Sequence, residues 1–259
     1  MRAAQVVRLD GPTGVEVRER PVPVRPDGEY LVDVHAVGVA FPDLLFSQGR
    51  YQLRPEPPFT IGIDFAGVVR ERPDGGAYPI GARVAGWVPA GAAADVVAVS
   101  PTHVFSLPDT VSFVVGSALP MNYLTAHYAL TRRGDLRPGE RVLIHGAAGG
   151  VGVATVQVAR WLGAEVVAVV STDARAEVAA AAGAHHVVPA ADFAARTREV
   201  TGGAGVDVVV DVVGGDDLAV DSVRCLASRG GPTRACIRTI PRSSGSRWVP
   251  GSRTGAWPR

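Results

Sequence analysis

The chain has 259 residues, with 26 arginines and no lysine, 25 acids, six histidines and two cysteines; 47% of it is hydrophobic and 20% charged. That balance buries a core and excludes a disordered chain, two cysteines exclude a disulfide-built scaffold or a four-cysteine zinc lobe, and no apolar run reaches the roughly 18 residues that cross a bilayer. At roughly 100–200 residues per domain the length accommodates one large domain or two modest ones, and Met1–Asp10 has no signal-peptide core, so a cytoplasmic location is expected. Residues 1–223 hold 18 arginines and all 25 acids, whereas 224–259 hold eight arginines and no acid.

Residues 3–39 carry short β-branched runs, Ala3–Leu9, Val15–Arg18 and Tyr30–Val39, broken by Gly11-Pro12, Pro21–Pro26 and Asp27-Gly28. Phe65–Arg70, Gly81–Val88 and Ala94–Val99 continue the pattern, so residues 1–112 read as a mainly β domain, a partly open barrel. After Pro108 the period changes. Ser112–Leu130 reads as helix with a break at Pro120, and Arg141–His145 reads as a short buried strand. A glycine-rich turn over 146–152 leads into a helix, Val153–Leu162. Then follow strand Glu165–Val170, helix 174–182 capped by Thr172 or Asp173, strand His186–Val188, helix Phe193–Val200, strand Val206–Asp211 and helix Asp216–Leu226. Strands alternating with helices of this length make βαβ units, which predicts an α/β doubly wound parallel sheet over 113–227. From Ser228 the period is lost among Arg, Gly, Ser and Pro, and 228–259 reads as a disordered basic tail.

The strongest motif is Val142–Gly152, in which glycines follow a strand and open a helix inside a βαβ unit. In that context the small residues let the backbone approach a pyrophosphate, and the helix N-terminus faces its charge. Gly149, Gly150, Val151 and Gly152 are therefore candidate cofactor contacts; a glycine turn that only packs helix on strand is the alternative. A dinucleotide lacking the 2′-phosphate would call for Asp or Glu about 20 residues further on, at the end of the second strand. That place holds Ser171 and Thr172, with Arg175 one helical step on. Hydroxyls and a guanidinium suit a 2′-phosphate, which favours NADPH over NADH, and Asp173 is expected to point away. Thr172 can cap its helix and still meet a phosphate.

Several stretches resemble the medium-chain dehydrogenase/reductase superfamily, and within it the zinc-independent quinone oxidoreductase (zeta-crystallin-like) branch. They are Ala36–Asp43, Ser47–Tyr51, Pro58–Val69, Gly81–Val84, Leu119–Ala126, Leu136–Gly152 and Asp207–Gly215, within a resemblance covering residues 1–226. The resemblance implies a GroES-like N-terminal domain, a Rossmann domain and an active cleft between them. It also implies hydride transfer from NADPH to a small-molecule quinone or enone. Zinc-dependent relatives carry Cys at the place of Ala40, and His followed by Glu at the place of Ile63-Asp64. Neither Ala nor Ile ligates zinc, so no zinc is expected, and a conjugated acceptor does not need a Lewis acid. By the same resemblance Thr125 contacts the cofactor near the nicotinamide, or else bonds its own helix. Val213 and Gly214 follow the fourth strand, at the carboxyl edge of the sheet where ligands bind, or else form an ordinary turn. Tyr51 lines the acceptor pocket and donates to a carbonyl oxygen, or else is a loop aromatic. Asp43 orients loops, and His145, at a strand end, reads as structural.

Relatives continue past the helix matching 216–226 with a further strand. The loss of pattern from Arg229 is read as a change of reading frame, which would expose a sheet edge, remove the family's homodimer interface and leave a poorly soluble chain. Two rival readings are a non-catalytic fragment that at most binds NADPH, and a nucleic-acid-binding protein using the basic tail with Trp248 and Trp257.

Overall fold

The structure, a computed structural model, describes residues 1–227 and 234–238. The chain divides into two compact units, Met1–Asn122 and Tyr123–Arg259.

The first unit is built from β1 (Arg2–Val6), β2 (Val15–Glu19), β3 (Tyr30–Gly38), α1 (Phe41–Ser47), β4 (Phe59–Thr60), β5 (Asp64–Glu71), β6 (Arg83–Trp87), β7 (Val96–Val99), β8 (Val104–Ser106) and α2 (Phe113–Gly116). They form two antiparallel sheets, a ribbon β2-β1-β4 and a five-stranded sheet β7-β3-β5-β6-β8. Alternate residues of the second sheet, among them Tyr30, Val32, Phe65, Val69, Val84 and Val97, turn inward as one buried cluster. Each such side chain removed from water contributes about 1.5–3 kcal/mol. The expected boundary at residue 112 lies before α2, yet α2 packs on this unit. Its Phe113 stacks on His35 at 4.5 Å and lies beneath the Arg83 guanidinium at 4.1 Å. A Cβ on Gly116 would stand 2.8 Å from the Leu107 methyl groups, so a larger residue there would have to displace that side chain.

In α1, Ala40 has no side chain to cap the helix. Asp43 instead reaches back, its Oδ2 accepting from the Ala40 N–H at 2.8 Å, with Pro42 in the first turn. Pro120 opens the next helix, α3 (Pro120–Tyr128), where the sequence predicts a break, and α3 loosens into a wider turn over Ala129–Arg133.

The second unit holds β9 (Arg141–His145), α4 (Gly150–Trp161), β10 (Glu165–Val170), α5 (Asp173–Ala181), β11 (His186–Pro189), α6 (Phe193–Val200), β12 (Val208–Asp211), α7 (Asp216–Arg224) and β13 (Arg234–Arg238). The strands make one parallel sheet in the order β11-β10-β9-β12-β13. Val142, Ile144, Val166, Ala168, Val208 and Val210 face Val156 and Ala159 of α4 and Ala179 of α5. Leu143, Val167, Val169 and Val209 face the other way, onto Phe193 and Leu226. Burial on both faces explains why these strands read as continuous apolar runs. The strand order reverses between β9 and β12, so the carboxyl ends of these two strands flank the crevice in which doubly wound sheets bind ligands.

Two expectations need correction here. The helix after the glycine turn begins at Gly150, inside the motif, not at Val153. The chain also does not lose all order at Ser228: Arg234–Arg238 adds β13 beside β12, in parallel register with Val208 opposite Arg234 and Asp211 opposite Arg238. The local composition hides a strand whose order comes from its pairing. Residues 228–233 and 239–259, the rest of the expected tail, lie outside the described residues.

Candidate functional site

The glycine turn joins β9 to α4. Gly146 has φ +64°, and a Cβ there would lie 2.9 Å from the side chains of Val212 and Val213 in the loop after β12. Gly149 is the N-cap, with an extended backbone and no side chain to satisfy the first turn. A Cβ on Gly152 would fall 2.1 Å from the Gly146 carbonyl oxygen and 2.8 Å from the Ala147 backbone, so the helix can press onto the turn only with glycine here. The first N–H groups of a helix have no partner within it. Gly149 and Gly150 are exposed, and no acid lies in the first turn, so this end of α4 presents N–H groups and the positive end of the helix dipole to a ligand.

At the end of β10, Thr172 caps α5, its Oγ1 accepting from the Arg175 N–H at 3.4 Å. The Arg175 guanidinium donates to Ser171 Oγ at 2.6 Å. Ser171, Thr172 and Arg175 are exposed and stand together as two hydroxyls and a cation; Asp173, also exposed, occupies the first turn of α5.

At the end of β12, Asp211 is 2% exposed, and its Oδ1 accepts from the N–H groups of both Val213 and Gly214 at 2.8 Å. This carboxylate shapes the turn holding the two predicted residues; Gly214 takes φ +76° and the Val213 side chain is exposed. Asp211 was not singled out in the sequence. The signal was present as an acid at a strand end followed by Val-Val-Gly-Gly. Beside it, His145 is the register partner of Asp211 on β9 and is 1% exposed. Burial pushes its imidazole below the ordinary histidine value, against the pull of the Asp211 charge.

Gly149–Gly152, Ser171–Arg175 and Val213–Gly214 thus line the carboxyl edge of one sheet, at three neighbouring strands. Thr125 lies half-buried on α3, whose Tyr123 hydrogen-bonds Gln157 of α4. Tyr51 belongs to the first unit, where it is half-buried and packs on Phe46 with centroids 4.5 Å apart. Burial, and then the nearby Asp43 charge, raise its phenol above the usual value. Asp43 itself is driven upward by burial, opposed by the backbone N–H groups of Ala40 and Gly62, the second outside hydrogen-bond geometry. Asp64, 3% exposed, is pushed up to about 7, chiefly by burial and further by Asp43. Against this, the Met121 N–H donates to both its oxygens, at 3.1 and 3.2 Å.

Among the described residues no group of three or more His, Cys, Asp or Glu is placed to hold a metal ion. No helix among them is long and apolar enough to cross a membrane.

Residues 26–109 match the family model described as the alcohol dehydrogenase GroES-like domain, and residues 150–232 match the one described as zinc-binding dehydrogenase. The chain is 32% identical to human quinone oxidoreductase over 255 residues, covering 94% of this chain and 77% of that protein. It is 36% identical over 233 residues to quinone oxidoreductase-like protein 2 of Bos taurus, covering 88% of this chain and 66% of the relative, slightly under two thirds of its length. Among solved structures, a probable oxidoreductase from Mycobacterium abscessus is 41% identical with a TM-score of 0.82, over 91% of this chain and 78% of that one. A quinone oxidoreductase from Thermus thermophilus, solved also in complex with NADPH, is 33% identical with a TM-score of 0.78, over 93% and 80%.

Proposed function

The chain belongs to the quinone oxidoreductase family of the medium-chain dehydrogenase/reductase superfamily, and from that premise we propose that it reduces a quinone or other conjugated carbonyl compound with NADPH, without zinc. The observation that carries the reading is the carboxyl edge of the parallel sheet. Across β10, β9 and β12 in turn it offers a guanidinium with two hydroxyls, an uncapped helix N-terminus, and a turn held by a carboxylate. A phosphorylated dinucleotide fits that sequence of groups, and glycine at 152 lets α4 press onto the turn, which sets the exposed N-terminus of the helix at the edge where such a ligand would lie.

In this reading Gly149–Gly152 hold the pyrophosphate through N–H groups and the dipole of α4. Ser171, Thr172 and Arg175 hold the 2′-phosphate, where an acid would repel it. Val213 and Gly214, shaped by Asp211, receive the nicotinamide half, with Thr125 against the same half. When bound, NADPH supplies the hydride. Tyr51 donates a hydrogen bond to the acceptor oxygen; its raised phenol stays protonated at neutral pH and acts as donor, not base. Ala40 and Ile63 offer no metal ligand, so polarisation of that oxygen falls to hydrogen bonding. The partner is a small molecule, met in the cytoplasm.

The test is consumption of NADPH and of NADH with a simple para-quinone, alongside cofactor titration by fluorescence. Turnover with NADPH at least about tenfold faster than with NADH is expected. Equal use of NADH refutes the assignment of Ser171, Thr172 and Arg175. NADPH binding without turnover reduces the protein to a cofactor-binding chain, and no binding removes the reading altogether.

A further inference from the structure

The turn after β12 is four residues, Val212–Gly215, two of them glycines with φ of +76° and +138°. Such a turn has little side chain to fix its own shape, so the shape depends on how its two ends are held. The entering end is tied by Asp211 Oδ1 to the Val213 and Gly214 N–H groups. The leaving end is α7, whose N-cap, Gly215, makes no side-chain capping bond.

Further along α7, Ser222 is 2% exposed, and its Oγ donates to the Leu218 carbonyl at 2.6 Å. That bond uses the single hydroxyl proton, so at the 2.9 Å contact with His145 the serine accepts and Nε2 of the imidazole donates. The ring is therefore held in one tautomer, edge-on against Phe193 at 4.7 Å and 89°. His145 ends β9, directly before the glycine turn, and pairs with Asp211 in the parallel register. Two anchors thus stand side by side on neighbouring strands: Asp211 holds the turn itself, and His145 holds α7, the helix the turn leads into, at Ser222 near its C-terminal end. A buried neutral polar pair is no more stabilising than a well-packed apolar one, so general stability does not account for it.

We propose that the His145–Ser222 hydrogen bond is the second tie of the β12–α7 turn and that His145 and Ser222 are positioning residues for the nicotinamide half of NADPH. The proposal rests on the cofactor reading above. It predicts an effect confined to one half of the ligand, because the ends of β10 and β12 lie on opposite sides of β9.

The experiment compares the affinity of the full chain for NADPH and for adenosine 2′,5′-bisphosphate, which carries only the phosphate-bearing half. Ser222→Ala is expected to weaken NADPH by about three- to tenfold, the loss of one buried hydrogen bond, with the bisphosphate unchanged. His145→Leu should do the same, and the double variant should be no worse than either single one, because both remove one bond. His145→Gln, whose amide nitrogen reaches the Nε2 position, should restore most of the affinity; it also serves if Ser222→Ala does not fold. Unchanged NADPH affinity in both Ser222→Ala and His145→Leu overturns the proposal. So does equal weakening of both ligands, which would mark a general packing role, and so does a His145→Gln variant as weak as His145→Leu. If the unaltered chain binds neither ligand, the cofactor reading itself fails, a result separable from these.

Discussion

Replacing Asp64 by Asn tests the electrostatics of the first unit. Asp64 is buried at the start of β5, beside the charge of Asp43, and its carboxyl is raised to about 7 from an ordinary 3.8. Compensation comes from the Met121 N–H, which reaches both oxygens. A group that holds its proton more tightly folded than unfolded adds stability that is complete below the unfolded value. That stability is lost as pH rises toward the folded value. The window is therefore pH 4 to 7, and the span corresponds to at most about 4 kcal/mol, or about 2 if relaxation around the buried charge halves it. Asn keeps an acceptor for Met121 and carries no charge. Urea unfolding of both proteins across pH 4 to 8 should show Asp64→Asn gaining on the wild type by about 2–4 kcal/mol between the two ends of the window. His145 and His185, lowered by burial, tilt both curves the opposite way and cancel in the difference. Asp43→Asn should move the midpoint of the wild-type curve to lower pH, because Asp43 contributes to the rise. A difference between Asp64→Asn and wild type that stays constant from pH 4 to 8 would refute the argument.

Gly152→Ala should lose NADPH binding and lower the urea midpoint, by about 2–4 kcal/mol in stability, since the new Cβ meets backbone atoms that cannot swing away; helix propensity alone predicts a gain of about 1 kcal/mol, so a raised midpoint would count against the packing described. Arg175→Ala should weaken NADPH about tenfold or more and leave NADH unchanged, read by fluorescence titration; parallel loss of both cofactors would separate Arg175 from the 2′-phosphate. Tyr51→Phe should lower kcat/KM for a quinone about tenfold with the NADPH Kd unaltered, and an unchanged kcat/KM would remove Tyr51 from the acceptor site.

What could be read from the sequence was whatever local pattern decides. The strands β9, β10 and β12 stood out because burial on both faces leaves no room for polar alternation, and the glycine run stood out because Gly152 has backbone where a Cβ would go. The hydroxyl–guanidinium group after β10 was visible because Ser171, Thr172 and Arg175 are near neighbours along the chain. Features decided by distant partners were not legible. The loyalty of α2 to the first unit depends on His35, Arg83 and Ala66, all far upstream. The helix α1 starts on Ala40, a poor cap, and is rescued by Asp43. The strand β13 sits in a run of arginine, glycine and proline that carries no β pattern of its own.

The same division runs through the site. The glycines announce themselves, because a close approach of backbone demands them wherever it occurs. His145, Asp211 and Ser222 lie up to 77 residues apart and have in common only the parallel register of β9 with β12 and the packing of α7 beneath them. Read singly, each is an ordinary residue: a histidine closing a strand, an acid before a turn, a serine within a helix. The register makes them a group, by setting the histidine next to the acid and within reach of the serine, under the loop that follows β12. A substitution that shifted that register by one residue would turn His145 to the opposite face of the sheet, among the apolar side chains beneath α4. It would leave the glycine motif intact in sequence while releasing the adjoining turn. The chemistry of this edge therefore depends as much on the alignment of β9 with β12 as on the motif that first draws attention to it.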